Sequence, residues 1–150
     1  MEKRYTYHTT AHWTMHKRGI VEAEGDIPRT INFAAPPEFG GEPGLWTPEH
    51  LLLAAVSTCF VATFRAVAEA SKVEIHGMEV AVEGTIEKQE GGFRFTTITL
   101  RPMVSILREP DRERVGRLLE KAEKVCLVSR SILATITLEP KVVVEAPVAV

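Results

Sequence analysis

The longest apolar run of the chain, from Leu51 to Phe64, constrains the fold more than any other feature. Thr47 and Pro48 precede it, and they are residue types that open helices, because a threonine oxygen caps the first N–H groups and proline fits the first turn. The spacing predicts a helix from Thr47 to about Ser71. Apolar residues occupy most of its circumference as far as Phe64, which indicates burial on nearly all sides.

The pattern before this helix is typical of strands, because polar and apolar residues alternate. Residues 3–14, 20–23 and 30–34 predict a three-stranded antiparallel meander. The segment 35–46 contains three prolines and three glycines, which exclude a regular element and predict a loop. A loop of this length inside a compact domain is more often functional than idle, and its aromatic side chains could cover a pocket.

The chain after the helix predicts a long hairpin, a second helix and a final strand. Residues 73–88 and 93–106 flank a Gly-Gly turn, and a change of parity near Thr96 is typical of a bulge. Apolar residues recur at helical spacing over 110–125, and residues 135–145 return as one strand. This order of elements predicts an α+β fold in which antiparallel sheets wrap a central buried helix.

Size and charge narrow the possible functions. We expect one domain over 1–150, with 45% hydrophobic residues, 25% charged residues and a net charge of -2. This charge gives no attraction to nucleic acid or to an anionic membrane. The uncharged run of 14 residues is shorter than the roughly 18 to 20 that span a bilayer, and no signal peptide is apparent, so we expect a cytoplasmic protein.

The two cysteines, Cys59 and Cys126, are the strongest candidates for chemistry. The histidines lack metal-ligand spacing and no glycine-rich phosphate loop is present, so we expect neither a metal nor a bound cofactor. Each cysteine has a simple interpretation as a small buried side chain. A reactive Cys59 would need a stabilised thiolate, and it lies too far from its helix N-terminus for the helix dipole to supply that. The candidate cations are Arg18, Arg29, Lys17 and His16.

Cys126 and Glu49 each have a functional and a structural interpretation. As a resolving cysteine, Cys126 would attack a sulfenic acid on Cys59 and close a disulfide. The spacing of 67 residues leaves open whether the two sulfurs meet. Glu49 lies about 15 Å before Cys59 along an ideal helix. It is either an acid that stabilises the helix N-terminus or a group that orients an arginine.

Two motifs occur together in this sequence. The first, from Thr47 to Phe60, reads TPEHLLLAAVSTCF and joins Pro-Glu to a leucine- and alanine-rich helix that reaches a cysteine. The second, from Cys126 to Ser131, reads CLVSRS. With their spacing and the order of elements, these motifs resemble the OsmC/Ohr family of thiol-dependent peroxidases over nearly the whole chain. Leu127 departs from the family pattern, which often has proline at this position.

The resemblance implies an intertwined homodimer with active sites at the subunit interface. It implies that Cys59 attacks the peroxide, that Cys126 resolves the sulfenic acid as a disulfide, and that an arginine paired with Glu49 stabilises the thiolate. Arg18 is our choice for this arginine, with Arg29 second. An external dithiol, of lipoyl type in the Ohr branch, would reduce the disulfide. The expected lining of an apolar substrate pocket is Phe39, Trp46, Phe60 and Phe64.

Two hypotheses from different classes follow. The first is a thiol-dependent peroxidase that reduces organic hydroperoxides, and hydrogen peroxide as well, in oxidative stress defence. The second is a non-enzymatic module of the same fold that binds a small apolar ligand or a partner, with both cysteines structural. A general thiol oxidoreductase is disfavoured because no CxxC motif is present. The basic turn over 15–19 leaves the choice between the OsmC and Ohr branches open.

Overall fold

The computed structural model describes residues 3–145. The chain divides into two compact units, and their boundary falls between Leu52 and Leu53. The sequence predicts a single domain, whereas this boundary lies within one continuous helix, α1 (Pro48–Ala70). The first turn of α1 therefore belongs to the first unit and the remainder to the second.

The first unit contains a three-stranded sheet. Strands β1 (Thr9–Met15), β2 (Arg18–Ala23) and β3 (Ile31–Ala34) lie in that order and pair antiparallel, which confirms the predicted meander. All seven residues of β1 are exposed. The predicted loop over 35–46 contains one short 3-10 turn at Pro37–Phe39 and returns to β3 through a parallel bridge.

Helix α1 begins where the sequence predicts it. The backbone N–H of His50 donates to the Thr47 hydroxyl at 3.1 Å, so Thr47 is the N-cap. The prediction of burial on nearly all sides is wrong for the single chain. Burial follows a narrow stripe at four-residue spacing, because the second unit covers only one side of the helix. The stripe consists of Val56, Phe60, Phe64 and Ala68.

The full length of α1 also differs from the 14-residue run that the sequence analysis used to argue against a membrane span. The helix has 23 residues with a mean hydropathy of 1.9, long and apolar enough to cross a bilayer. Core helices of soluble proteins meet the same criteria. The buried stripe of α1 lies in the hydrophobic core of the second unit and accounts for part of the apolar composition of the helix.

The second unit contains a mixed sheet around the predicted hairpin. Strands β4 (Gly77–Gln89) and β5 (Gly92–Ile106) pair antiparallel. Thr85 pairs with Thr97 and Ile86 with Phe95, which leaves Thr96 unpaired and confirms the bulge.

The end of the chain differs from its prediction. Residues 135–145 form two strands, β6 (Thr135–Leu138) and β7 (Lys141–Val144), and both pair with β5 in parallel. The expected sheet of antiparallel strands is therefore mixed. The division falls at Glu139 and Pro140, where proline has no N–H to continue a ladder.

Helices α2 (Arg112–Val125) and α3 (Leu127–Arg130) complete the second unit, and Cys126 lies between them. The apolar face of α2 packs with the α1 stripe and the inner face of β5 in one continuous core. Burial of this surface supplies the main stabilising contribution to the second unit. The fully buried members from β5 and α2 are Ile98, Leu100, Val104, Ile106, Val115, Leu119 and Ala122.

Candidate functional site

Cys126 occupies the break between α2 and α3. Its backbone is extended, with φ -62° and ψ 115°, and this turns the chain from one helix into the next. Its side chain is completely buried. Leu127 follows, in the place where proline is frequent in the family, and it begins α3 with a side chain that is 70% exposed. The departure from proline therefore leaves a helix start intact beside the second cysteine.

Cys59 lies in the middle of α1 and is partly exposed. Cys59 directly precedes Phe60, a member of the buried stripe. Its side chain therefore lies beside the buried face of the helix and does not point into the core. Thr63 stands one turn further along on the same side. Its hydroxyl oxygen is 3.8 Å from the Cys59 sulfur.

The fold brings the two cysteines together. The two sulfurs lie close enough for each to shift the pKa of the other, and the backbone of Val128 and Leu127 also lowers the pKa of Cys59. Both cysteines are free thiols. The start of α3 thus faces the middle of α1, and it brings a second sulfur beside the first across 67 residues of sequence.

These contacts lower the pKa of Cys59 from its usual value. Burial is the largest single influence and acts in the opposite direction, since it disfavours the thiolate. Hydrogen bonds outweigh it: the backbone of Val128 contributes most, followed by Cys126, Thr63 and the backbone of Leu127. Each stabilises negative charge on the sulfur. Cys59 is therefore the sulfur of this pair that ionises first.

Burial raises the pKa of Cys126, and the neighbouring Cys59 sulfur raises it further. The backbone N–H and the hydroxyl of Ser129 act in the opposite direction but do not compensate. The two thiols are coupled, so their titrations belong to the pair. The arrangement therefore favours the thiolate at Cys59 over the thiolate at Cys126.

The charged residues selected from the sequence lie in the first unit, and two of them make other contacts there. Arg18 donates to Glu42 at 2.8 Å, and the pairing of Arg18 with Glu49 that the resemblance implies is not formed. Glu49 has one buried carboxylate oxygen without a hydrogen-bond partner among residues 3–145. Lys17 donates to the Phe39 carbonyl at 3.0 Å. Arg29 is exposed, with a positive φ of 111°.

The four aromatic residues chosen as a substrate lining divide into two sets. Phe39 and Trp46 lie in the first unit and are 40% and 51% exposed. Phe60 and Phe64 are fully buried in the core of the second unit, where their rings stack with centroids 6.5 Å apart. Core packing accounts for Phe60 and Phe64, and neither ring offers surface to a ligand in the chain as described.

Sequence reasoning missed two hydroxyls that act on the cysteines, Thr63 and Ser129. Thr63 follows Cys59 by four residues and Ser129 follows Cys126 by three, spacings that share a helix face. These spacings are the feature of the sequence from which the two hydroxyls could have been found. Within residues 3–145 no group of three or more His, Cys, Asp or Glu side chains could hold a metal ion.

A family model described as OsmC-like protein matches residues 41–141, which include both cysteines. The chain belongs to the OsmC-like protein family. Proteins of this family are associated with peroxide resistance. The α+β fold of the chain is the fold of the OsmC-like structures.

Similar proteins agree with this assignment. The chain is 29% identical over 138 residues to the uncharacterized protein YmaD of Bacillus subtilis, across 89% of this chain and 90% of that protein. It is 27% identical over 139 residues to peroxiredoxin OsmC of Escherichia coli, across 84% and 96%. A crystal structure of an organic hydroperoxide resistance protein OsmC from Legionella pneumophila is 28% identical, with a TM-score of 0.74, and the match covers 95% of this chain and 100% of that one.

Proposed function

We propose that this protein is a thiol-dependent peroxidase that reduces organic hydroperoxides, and hydrogen peroxide as well, in oxidative stress defence. One observation supports this above the others: Cys59 and Cys126 are in contact and their pKa values are displaced in opposite directions. A pair of titratable groups that differ in this way has the division of roles that a two-cysteine peroxidase requires. The names peroxiredoxin and organic hydroperoxide resistance protein among the relatives agree with it.

In the first step, the Cys59 thiolate attacks the terminal oxygen of the hydroperoxide. A sulfur–oxygen bond forms, the oxygen–oxygen bond breaks, and the alkoxide takes up a proton and leaves as an alcohol. Cys59 becomes a sulfenic acid. The hydrogen bonds from Val128, Leu127 and Thr63 favour the thiolate that this step needs.

In the second step, the Cys126 thiolate attacks the Cys59 sulfur. The sulfur–sulfur bond forms while the sulfur–oxygen bond breaks, and hydroxide leaves with a proton as water. We propose that an external dithiol, of lipoyl type in the Ohr branch, then reduces the disulfide, so that no bound cofactor is needed. A reducing compartment supplies such thiols, which favours a cytoplasmic location.

We also propose that the active protein is a homodimer. Three large aromatic side chains before and within β1 are exposed in the single chain: Tyr5, Tyr7 and Trp13, at 76%, 89% and 77%. Extensive exposed apolar surface is typical of an interface. A dimer would also offer a partner to the buried, unpaired carboxylate oxygen of Glu49.

The roles of the arginine and of the substrate lining complete the proposal. Arg18, or Arg29 in its place, would pair with Glu49 and stabilise the Cys59 thiolate in the dimer, since a guanidinium can bind two anions at once. Phe39 and Trp46 have exposed ring surface that suits an alkyl or aryl hydroperoxide. Sedimentation analysis should give a dimer at micromolar concentration, and a monomer would contradict this part of the proposal.

The activity is tested by dithiol-dependent consumption of cumene hydroperoxide. The wild-type protein should turn over, and Cys59→Ser should fall to the rate of the dithiol alone, because serine is not ionised at neutral pH. Ser57→Ala is a control that changes a neighbouring helix residue outside the sulfur contacts, and it should retain activity. Equal rates for the wild-type protein and Cys59→Ser would reject the peroxidase and favour a non-enzymatic binding module.

A further inference from the structure

Four basic side chains follow one side of helix α2. Their spacing of three, four and three residues brings them together on the helix surface, next to its buried face. They are Arg114, Arg117, Lys121 and Lys124, and all four are exposed. We call this set the basic stripe. It extends over about 15 Å of the helix, at the usual rise per residue.

The glutamates of α2 follow a different side of the helix, so the two signs of charge are segregated. These glutamates are Glu113, Glu120 and Glu123. Arg117 pairs with Glu113 across the two sides at 3.5 Å. Lys121 and Lys124 form no ion pair within residues 3–145. Their charges are therefore available to a partner.

A row of like charges is unfavourable for the helix itself. Side chains of the same sign repel at three- and four-residue spacing, and Lys121 has such a neighbour on each side, Arg117 and Lys124. Helix α1 does not neutralise the row, because its part in the second unit adds one arginine and one glutamate, Arg65 and Glu69. A local arrangement that opposes stability in this way is typical of a functional surface.

Contacts at both ends place the basic stripe along α1. Arg114 donates to the carbonyl of Ser71, the residue after α1. Cys126 directly follows α2, and its sulfur lies close to that of Cys59 in the middle of α1. Ser71 is twelve residues after Cys59, and Arg114 is twelve residues before Cys126. The two helices are therefore antiparallel, and the stripe runs beside α1 toward the cysteine pair.

The basic stripe ends at the two sulfurs. Lys124 is two residues before Cys126. The residues on either side of Cys126 have exposed apolar side chains, Val125 at 49% and Leu127 at 70%. Cys126 itself is completely buried, whereas Cys59 is partly exposed. A partner that binds along the stripe thus has one end beside Cys59, the sulfur that is open to attack.

The length of the basic stripe indicates the kind of partner. One anionic group of a small molecule engages one or two cations. Four cations over about 15 Å suit several carboxylates on the surface of a protein. The reductant of the disulfide is the partner that has to reach this place. We propose that the basic stripe docks the acidic surface of a protein that carries the dithiol reductant. This inference rests on the proposed function.

The docked dithiol reduces the disulfide in two exchanges. One of its thiols loses a proton and attacks Cys59, which forms a mixed disulfide and releases Cys126 as a thiolate. The second thiol loses its proton and attacks the mixed disulfide, and Cys59 leaves as a thiolate. The two cysteines take up the two protons as required, and the reductant departs as a disulfide.

The test compares two peptide reductants that differ in charge. The acidic peptide carries dihydrolipoyl-lysine followed by four glutamates, and the neutral peptide has four glutamines instead. Diamide prepares the Cys59–Cys126 disulfide, so the measurement does not depend on the peroxide step. Free thiols are counted after acid quenching. At low ionic strength the acidic peptide should reduce the wild-type protein about tenfold faster than the neutral one. Added salt should diminish this preference, because it screens exposed charges.

Two double variants locate the effect. Lys121→Gln with Lys124→Gln should lower the preference for the acidic peptide to about threefold or less. Lys88→Gln with Lys141→Gln is the matched control, since it removes the same charge from exposed lysines of β4 and β7. It should keep the preference of the wild-type protein. The rate with dithiothreitol, measured on every variant, reports any change at the disulfide itself.

Several results would overturn the docking proposal. They are equal rates for the two peptides with the wild-type protein, an equal loss of preference in both double variants, and a loss in Lys121→Gln with Lys124→Gln that is as large with dithiothreitol. A tenfold preference for dihydrolipoic acid over dihydrolipoamide would also overturn it, because a single carboxylate would then be enough.

Failure of the proposed function has a different signature. A protein that forms the disulfide with diamide but no sulfenic acid with cumene hydroperoxide would not be a peroxidase, and the peptides would still decide the docking. If diamide does not join Cys59 to Cys126, both claims are wrong.

Discussion

The two cysteines carry the same side chain in two different surroundings. Cys59 lies within a long helix, is partly exposed, and receives hydrogen bonds from the start of α3. Cys126 lies in a break between helices and is completely buried. The pKa of Cys59 is lowered and that of Cys126 is raised, with no charged side chain among the causes in the described residues. Burial, backbone groups and uncharged side chains are enough to shift the pKa values of the two sulfurs in opposite directions.

The largest expected effect is the loss of turnover on removing the buried sulfur. Cys126→Ser should still reduce one equivalent of hydroperoxide, because Cys59 keeps its thiolate. The sulfenic acid should then accumulate and react with dimedone, since no neighbouring thiol removes it. Mass spectrometry of the labelled peptide checks this. If Cys126→Ser kept the steady-state turnover of the wild-type protein, the proposed role of Cys126 as the resolving cysteine would be contradicted.

The pH dependence of alkylation compares the two sulfurs directly. Iodoacetamide reacts with thiolates, so Cys59, whose pKa is lowered, should be modified before Cys126, whose pKa is raised. The preference should be largest below the pKa of Cys59. It should decline as the pH rises toward the pKa of Cys126, where both are ionised. The complete burial of Cys126 acts in the same direction.

Unfolding supplies the control for that experiment. In denaturant both cysteines approach the usual pKa, and their rates should become similar. A preference for Cys59 that persists in the unfolded chain would mean that local sequence, rather than the fold, sets it. Faster modification of Cys126 in the folded protein would reverse the assignment of roles.

The smallest expected effect concerns Thr63. Thr63→Val keeps the shape of the side chain and removes the hydroxyl that lies 3.8 Å from the Cys59 sulfur. The bond is long, so alkylation of Cys59 at neutral pH should slow only about two- to fivefold. Thr58→Val is the matched control, since its hydroxyl donates to the Ala54 carbonyl at 2.7 Å. Equal slowing in both variants would argue against a specific effect on Cys59.

Much of the fold follows from local sequence patterns. The meander, the Thr47 cap and the bulge at Thr96 each depend on neighbouring residues, and each is confirmed. The final strand is the exception. Apolar residues on both sides of Glu139-Pro140 predict one continuous strand, whereas the structure has two. The proline interrupts the ladder, and the parallel pairing with β5 is a long-range choice that a local pattern does not contain.

The burial of α1 illustrates a different limit. Its composition indicates an interior helix, but only the stripe from Val56 to Ala68 is buried in the chain as described. Composition reports how apolar a helix is, whereas burial depends on what packs against each face. The remaining apolar surface is consistent with the proposed homodimer.

The candidate site was foreseen in part. The residues Cys59 and Cys126 stood out as the two cysteines, and their contact depends on the turn into α3, which brings distant sequence together. We looked for a cation to stabilise the thiolate. Within the second unit the groups that lower the pKa of Cys59 are backbone groups, the Cys126 thiol and a hydroxyl. The backbone contribution depends on the fold and cannot be read from residue types.

The most direct test of the account is to map the cysteines after one equivalent of cumene hydroperoxide is added to the fully reduced protein. The account predicts a loss of both free thiols and a single peptide pair that joins Cys59 to Cys126 within one chain, reversed by a dithiol. Two thiols that remain free after the hydroperoxide is added, or a disulfide between Cys59 residues of different chains, would contradict it.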